Sequence, residues 1–151
     1  MKQHNERQDK FSGTKKVQDH LKLDEPALIS WMNENVPDFK GPLSLSEFKG
    51  GQSNPTYRIQ TKNASYVLRR KPPGELLPSA HAVDREFRVI DALHRQNFPV
   101  PKPYALCTDP DVLGTIFYVM EKVEGRIFWE LSLPELNPKE RSAIYDSQLK
   151  A

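Results

Sequence analysis

Tyr66-Val67-Leu68-Arg69-Arg70-Lys71-Pro72-Pro73-Gly74 is the stretch whose reading decides the fold. Its opening residues alternate as a strand does, with Val67 and Arg69 on one face and Tyr66, Leu68 and Arg70 on the other. The two prolines end it, because neither can donate to a ladder. The strand is therefore predicted over Ser65 to Arg70. Immediately upstream, Thr61-Lys62-Asn63-Ala64 reads as a polar turn, and Tyr57 and Ile59 alternate ahead of it. Further back, Leu43 and Leu45 lead through Phe48-Lys49 into Gly50-Gly51-Gln52-Ser53-Asn54-Pro55, a loop between strands. The order is strand, flexible loop, strand, turn, strand.

Downstream the period changes. From Ala80 to His94 the residues Val83, Phe87, Ile90 and Leu93 form one helical stripe, and Asp84, Arg85, Arg88, Asp91 and Arg95 lie opposite. Glu86 falls on the apolar side, where an ionised carboxylate is costly unless a cation meets it. Two readings fit. In one, Glu86 sits at the stripe's edge and reaches solvent or makes a purely structural pair. In the other, Arg69 is its partner and the pair meets a ligand. The Gly50-Gly51 loop bears on the choice: glycines between strands let backbone N–H groups approach a phosphate, with Ser53 and Asn54 adding short donors. A plain hairpin explains the same glycines. There is no G-x-x-x-x-G-K-[ST] and no G-x-G-x-x-G, so neither a P-loop nor a dinucleotide fold is indicated.

The remaining chain supplies the other elements. Asp24 as N-cap and Pro26 in the first turn predict a helix with Leu28, Trp31, Met32 and Val36 at helical spacing, stopped by Pro37. Phe98-Pro99-Val100-Pro101-Lys102-Pro103 must be extended, Tyr104 to Cys107 reads as a strand, and Asp109 to Gly114 as a turn-rich connection. Thr115 to Met120 is a continuous apolar and β-branched run, expected as a strand covered on both faces. Asn137-Pro138-Lys139-Glu140 starts a last helix with an N-cap, a proline at N1 and a glutamate at N3. The sum is an α+β chain in which five strands form one sheet with the Ala80 to His94 helix on a face.

Composition narrows the function classes. A chain of 151 residues is long enough for one domain with a core. No apolar stretch approaches a membrane span, and the N-terminus has no apolar segment behind its charges, so neither a membrane protein nor a secretory leader is expected. The lone Cys107 cannot form an internal disulfide; it reads as a small core residue, and a reducing cytoplasm is the expected compartment. Residues 1–22 carry six Lys or Arg against three acids, interspersed and with no aromatic interleaving, Phe11 being the single aromatic. They are expected to be a solvated, disordered basic tail, not a nucleic-acid-binding arm. Scattered histidines offer no metal site. His81 and His94 are expected to serve as cap and surface groups, and Trp31 and Trp129 to pack.

The order of these motifs resembles the small lobe and hinge of the protein-kinase-like fold, and the wording is similar to the aminoglycoside phosphotransferase family. Phe48 to Tyr57, Tyr66 to Gly74, Asp84-Arg85-Glu86-Phe87, Phe98 to Pro103 and Phe117 to Glu121 look like the kinase-like domains attached to acyl-CoA dehydrogenase family members ten and eleven and their bacterial relatives. The resemblance runs from about residue 24 to the end. It implies a five-stranded antiparallel sheet with an αC-like helix over residues 23–121. A hinge and the first helix of a truncated large lobe would follow over residues 122–151.

The resemblance also implies ATP as cofactor, with Mg2+ held by residues of the large lobe. Arg69 takes the place of the lysine that grips the phosphates, with Glu86 as its partner. Arginine there exchanges a compact ammonium for a planar fork. Gly50, Gly51, Gln52, Ser53 and Asn54 would cover the phosphates and Val67 would lie against adenine. Met120 would sit behind the base, while the backbones of Glu121 and Val123 would bond its edge. The acceptor would be a small-molecule hydroxyl, with a hydroxylated acyl-CoA implied over an antibiotic. No catalytic residue is expected in this chain, since no histidine is followed by x-Asp and no D-F-G-like triplet follows Gly125. A non-catalytic nucleotide-binding or interaction module is the alternative expectation. Apolar surface at the hinge and last helix is expected to be uncovered, which would favour association.

Overall fold

A computed structural model describes residues 8–50, 53–75, 77 and 80–151. The chain forms two compact units, one over Gly13–Val123 and the other from the N-terminal segment through Ser12 together with Glu124–Ala151. The larger unit carries a single antiparallel sheet. Its strands are β1 (Thr14–Lys15), β2 (Ser44–Phe48), β3 (Thr56–Gln60), β4 (Ser65–Arg70), β5 (Pro103–Cys107) and β6 (Phe117–Glu121), in the order β1-β2-β3-β4-β6-β5.

The decisive strand lies where the alternation places it, with Arg69 opposite Thr56 on one side and Tyr118 on the other. Residues directly opposite in an antiparallel pair share a face. One face thus carries Thr56, Arg69 and Tyr118 on one rung and Arg58, Val67 and Met120 on the next. The other face carries Tyr57, Leu68 and Val119, all fully buried.

That second face holds the main core. Helix α1 (Glu25–Asn35) starts at Asp24, whose carboxylate accepts from the Ala27 N–H at 3.0 Å, and presents Leu28 and Met32 at zero exposure. They pack with Ile59, Tyr66, Leu68, Phe117 and Val119. Trp31 meets Phe117 edge-on at 4.7 Å, and Cys107 is buried in the same cluster, where desolvation pushes its thiol pKa up. The first face is covered in part by helix α2 (Val83–Arg95), whose Phe87 ring meets Tyr118 at 5.7 Å.

Three expectations are corrected. The sheet has six strands, not five, because Thr14 and Lys15 pair with Phe48 and Glu47 inside the stretch expected to be a disordered tail. The cause is Glu47, which is buried and draws donors onto itself: Gln18 offers its backbone N–H at 3.3 Å and its amide at 3.0 Å, and Lys15 Nζ lies at 3.4 Å. Leu21 then seals the core edge and accepts a hydrogen bond from the Tyr57 hydroxyl at 2.7 Å. The connection at Asp109–Gly114 contains a short helix, α3 (Pro110–Leu113), capped by the Asp109 carboxylate and ended by Gly114 at φ +84°. Only glycine adopts that left-handed conformation without strain. Helix α2 begins at Val83, three residues later than the periodicity predicts, because His81 is in the left-handed region at φ +56°.

In the smaller unit Phe11 stacks obliquely on Trp129 at 5.3 Å, and the Trp129 indole donates to the Ser12 hydroxyl at 3.1 Å. Helix α4 (Pro138–Leu149) opens with the predicted capping box: Asn137 accepts from the Glu140 N–H and Glu140 accepts from the Asn137 N–H, both at 3.0 Å. None of its residues is buried. Among the described residues no helix is long and apolar enough to cross a membrane.

Candidate functional site

Sheet and helix α2 meet at Arg69 and Glu86. Arg69 Nε donates to Glu86 Oε2 at 2.9 Å and Nη2 donates to Oε1 at 3.2 Å, a forked contact between planar groups. Nη1 donates to the Thr56 hydroxyl at 3.2 Å, on the same rung. A guanidinium has five N–H donors. Three are engaged here and, among the described residues, two have no partner.

Glu86 is held as firmly. Besides Arg69 it accepts from Asn54 Nδ2 at 3.0 Å and from the Tyr118 hydroxyl at 3.1 Å. Burial first, and then the nearby Glu86 carboxylate, push the Tyr118 phenol well above its usual range. It therefore stays a donor throughout the neutral range. With four donors on its two oxygens, the Glu86 carboxylate has its acceptor sites occupied. The two side chains hold each other in one orientation.

Asn54 is itself buried, its carbonyl accepting from Thr56 Oγ1 at 2.9 Å and its side-chain Oδ1 lying 3.0 Å from His81 Nδ1. Asn54, Arg69, His81, Glu86 and Tyr118 line an open cleft of about 980 Å3 with Ser53, Ala82, Ile90 and Met120. Its lining combines the charged Arg69, Arg85 and Glu86 with the apolar Val89, Ile90 and Met120.

Of the residues singled out from the sequence, Ser53, Asn54, Arg69, Glu86 and Met120 come together on this cleft. Val67 is on the same sheet face, one rung from Arg69 and opposite Met120, but is buried and off the cleft wall. Gly50 occupies the turn after β2; Gly51 and Gln52 lie outside the described residues. The Glu121 N–H donates to the Lys102 carbonyl at 2.8 Å, and Val123 is exposed beyond the end of β6. Neither lines the cleft. Arg70, adjacent to Arg69, is buried on the opposite face. There it donates to the Leu113 carbonyl at 3.3 Å and lies 5.9 Å from the Tyr57 ring.

Thr56, Tyr118 and His81 were not picked out for this site by the sequence. Thr56 and Tyr118 belong to Arg69's rung, so strand register was the signal for both. His81 carries no such signal. No cluster of three or more metal-ligating side chains occurs among the described residues.

The sequence profile of the phosphotransferase enzyme family matches residues 44–151. The chain is 49% identical over 128 residues to human acyl-CoA dehydrogenase family member 11, covering 82% of this chain and 16% of that protein. It is 51% identical over 105 residues to mouse acyl-CoA dehydrogenase family member 10, covering 70% of this chain and 10% of that one. A crystal structure from Ralstonia eutropha JMP134, described as an aminoglycoside phosphotransferase, superimposes with a TM-score of 0.70 at 49% identity. That match covers 83% of this chain and 35% of the bacterial one. At that likeness the two share the α+β, kinase-like architecture. The chain thus spans less than a fifth of the curated relatives' length and about a third of the solved structure's.

Proposed function

This chain belongs to the phosphotransferase enzyme family, and from that premise we propose that it is the nucleotide-gripping part of an ATP-dependent small-molecule phosphotransferase. One observation carries the reading: Arg69, held in a fork by Glu86 and Thr56, lines a cleft open to solvent, and among the described residues two of its N–H groups have no partner. A planar cation with paired donors suits a phosphate better than a point charge does. Ser53 adds a hydroxyl, and Asn54 braces the pair from the loop side. The adenine ring would lie toward Val67 and Met120, which face each other on the rung next to Arg69. The Glu121 N–H is already engaged, so an adenine contact at Glu121 falls to its carbonyl, with the Val123 backbone alongside. Gly50, in the turn after β2, would cover the phosphates.

ATP bound here would supply the γ-phosphoryl group for transfer to a hydroxyl. Glu86 is saturated with donors, so this chain's residues hold the phosphates without ligating Mg2+, which would arrive with the nucleotide. The parent acceptor is a small-molecule hydroxyl. The dehydrogenase names of the relatives make a hydroxylated acyl-CoA the first compound to try. A soluble protein of the reducing cytoplasm is the setting that fits.

Calorimetry with Mg2+-ATP on the 151-residue protein tests the grip. Binding should weaken about tenfold to a hundredfold in Arg69→Ala, the range for losing a hydrogen bond to a charged group, and likewise in Arg69→Gln. Equal affinity in both variants, or no binding by the unaltered protein, overturns the reading.

A further inference from the structure

We propose that His81 is a positioning residue of this cleft: its Nδ1–H sets the amide of Asn54, and through Asn54 and Glu86 it fixes the aim of Arg69. The inference rests on the reading of Arg69 as a phosphate grip, and its test has a readout that does not involve nucleotide.

Hydrogen-bond polarity carries the argument. Glu86 Oε1 can only accept, so the Asn54 atom 3.0 Å from it must be the amide nitrogen. The other end of that amide is then the oxygen, and it lies 3.0 Å from His81 Nδ1. Two acceptors do not approach so closely without repulsion, so Nδ1 bears a proton. The assignment follows from the network, and it opposes the usual preference of a free neutral imidazole, which keeps its proton on Nε2. Were the proton on Nε2, either Nδ1 and Oδ1 would face each other as lone pairs, or the amide would turn its oxygen onto the carboxylate. Both arrangements release Glu86 Oε1 from the loop. Asn54 is 4% exposed, so water does not readily make good the loss.

The backbone points the same way. His81 is a non-glycine residue at φ +56°, just ahead of α2, and its carbonyl accepts from the Val83 N–H at 2.9 Å. Such a conformation persists where surrounding contacts require it. Here it brings an imidazole from outside the helix onto the loop that ends at Asn54. The contact joins residues 27 positions apart. It ties the loop to the start of the helix that carries Glu86.

Nuclear magnetic resonance on the 15N-labelled chain tests this directly. At about pH 8, where an ordinary imidazole is neutral, long-range 1H–15N correlations should show the His81 proton on Nδ1. The Arg69 Nε–H should exchange slowly with water. In His81→Gly, which accepts the backbone but removes the donor, that exchange should quicken about fivefold to tenfold. In His81→Asn it should return close to the original rate, because the asparagine Nδ2 takes the place of Nδ1 and asparagine tolerates positive φ. A proton on Nε2, or one Arg69 exchange rate shared by all three proteins, overturns the proposal. Should His81→Gly fail to fold, the tautomer in the unaltered protein and the His81→Asn rate still decide. Loss of ATP binding with the tautomer and exchange pattern intact would sink the nucleotide reading and leave the positioning role standing.

Discussion

Tyr57 shows how a single hydroxyl couples stability to pH. It is fully buried on the sheet face away from the cleft, and burial, the larger influence, lifts its pKa from 10.0 to about 12. The unfolded chain loses this proton near 10 and the folded one near 12, so between those values the folded state holds more protons. Stability therefore falls as pH rises through that window and is fully present below it. Tyr118, raised in the same direction, adds to the alkaline loss. Tyr57→Phe should cost about 1–3 kcal/mol at neutral pH by orphaning the Leu21 carbonyl. It should also flatten, without abolishing, the decline measured by urea melts from pH 9 to pH 12; a slope equal to that of the parent protein would refute the assignment. Residue-scale legibility was uneven for a physical reason. Glu86 was readable because helical phase puts it on the apolar side. Its donors Asn54 and Tyr118 each lie 32 positions away, and no local period links residues at that range.

At the scale of elements, periodicity located what repeats and missed what does not. Strand β4 lies where alternation and the two prolines place it, and α4 starts at the Asn137 cap as its first residues specify. Strand β1 has two residues, too few to show a period, and is held by partners on β2. Helix α3 is a single turn whose Asp-Pro start and Gly end also describe a turn. The two faces of the sheet separate stability from the site. Leu28 packs on the face opposite Arg69 at zero exposure. Leu28→Ala should therefore destabilise the fold by about 2–5 kcal/mol in denaturant melts. Below the melting range, Mg2+-ATP affinity should stay within about twofold of the parent, since side chains well apart with no shared partner act nearly independently. A tenfold loss would mean that core and cleft are not separable.

Across the molecule, the larger unit holds the main hydrophobic cluster and the cleft, while the smaller unit's buried hydrophobic among the described residues is Leu133. Within the smaller unit the Phe11–Trp129 pair links its two segments, and Ile127, Leu131 and Leu149 are exposed. Helix α4 has 12 residues and buries none of them. Helices of that length are marginal in water on propensity alone, and a capping box contributes about 1 kcal/mol. Its stability should then be local, whereas β3, β4 and β6, hydrogen-bonded on both edges within the sheet, should open only with global unfolding. Native-state hydrogen exchange separates the two: amides of α4 should exchange at least about a hundredfold faster than those of β4, and rates in α4 should be insensitive to Leu28→Ala while those in β4 rise with the lost stability. Equal protection in the two elements would show that α4 is buttressed by packing and that the units unfold as one.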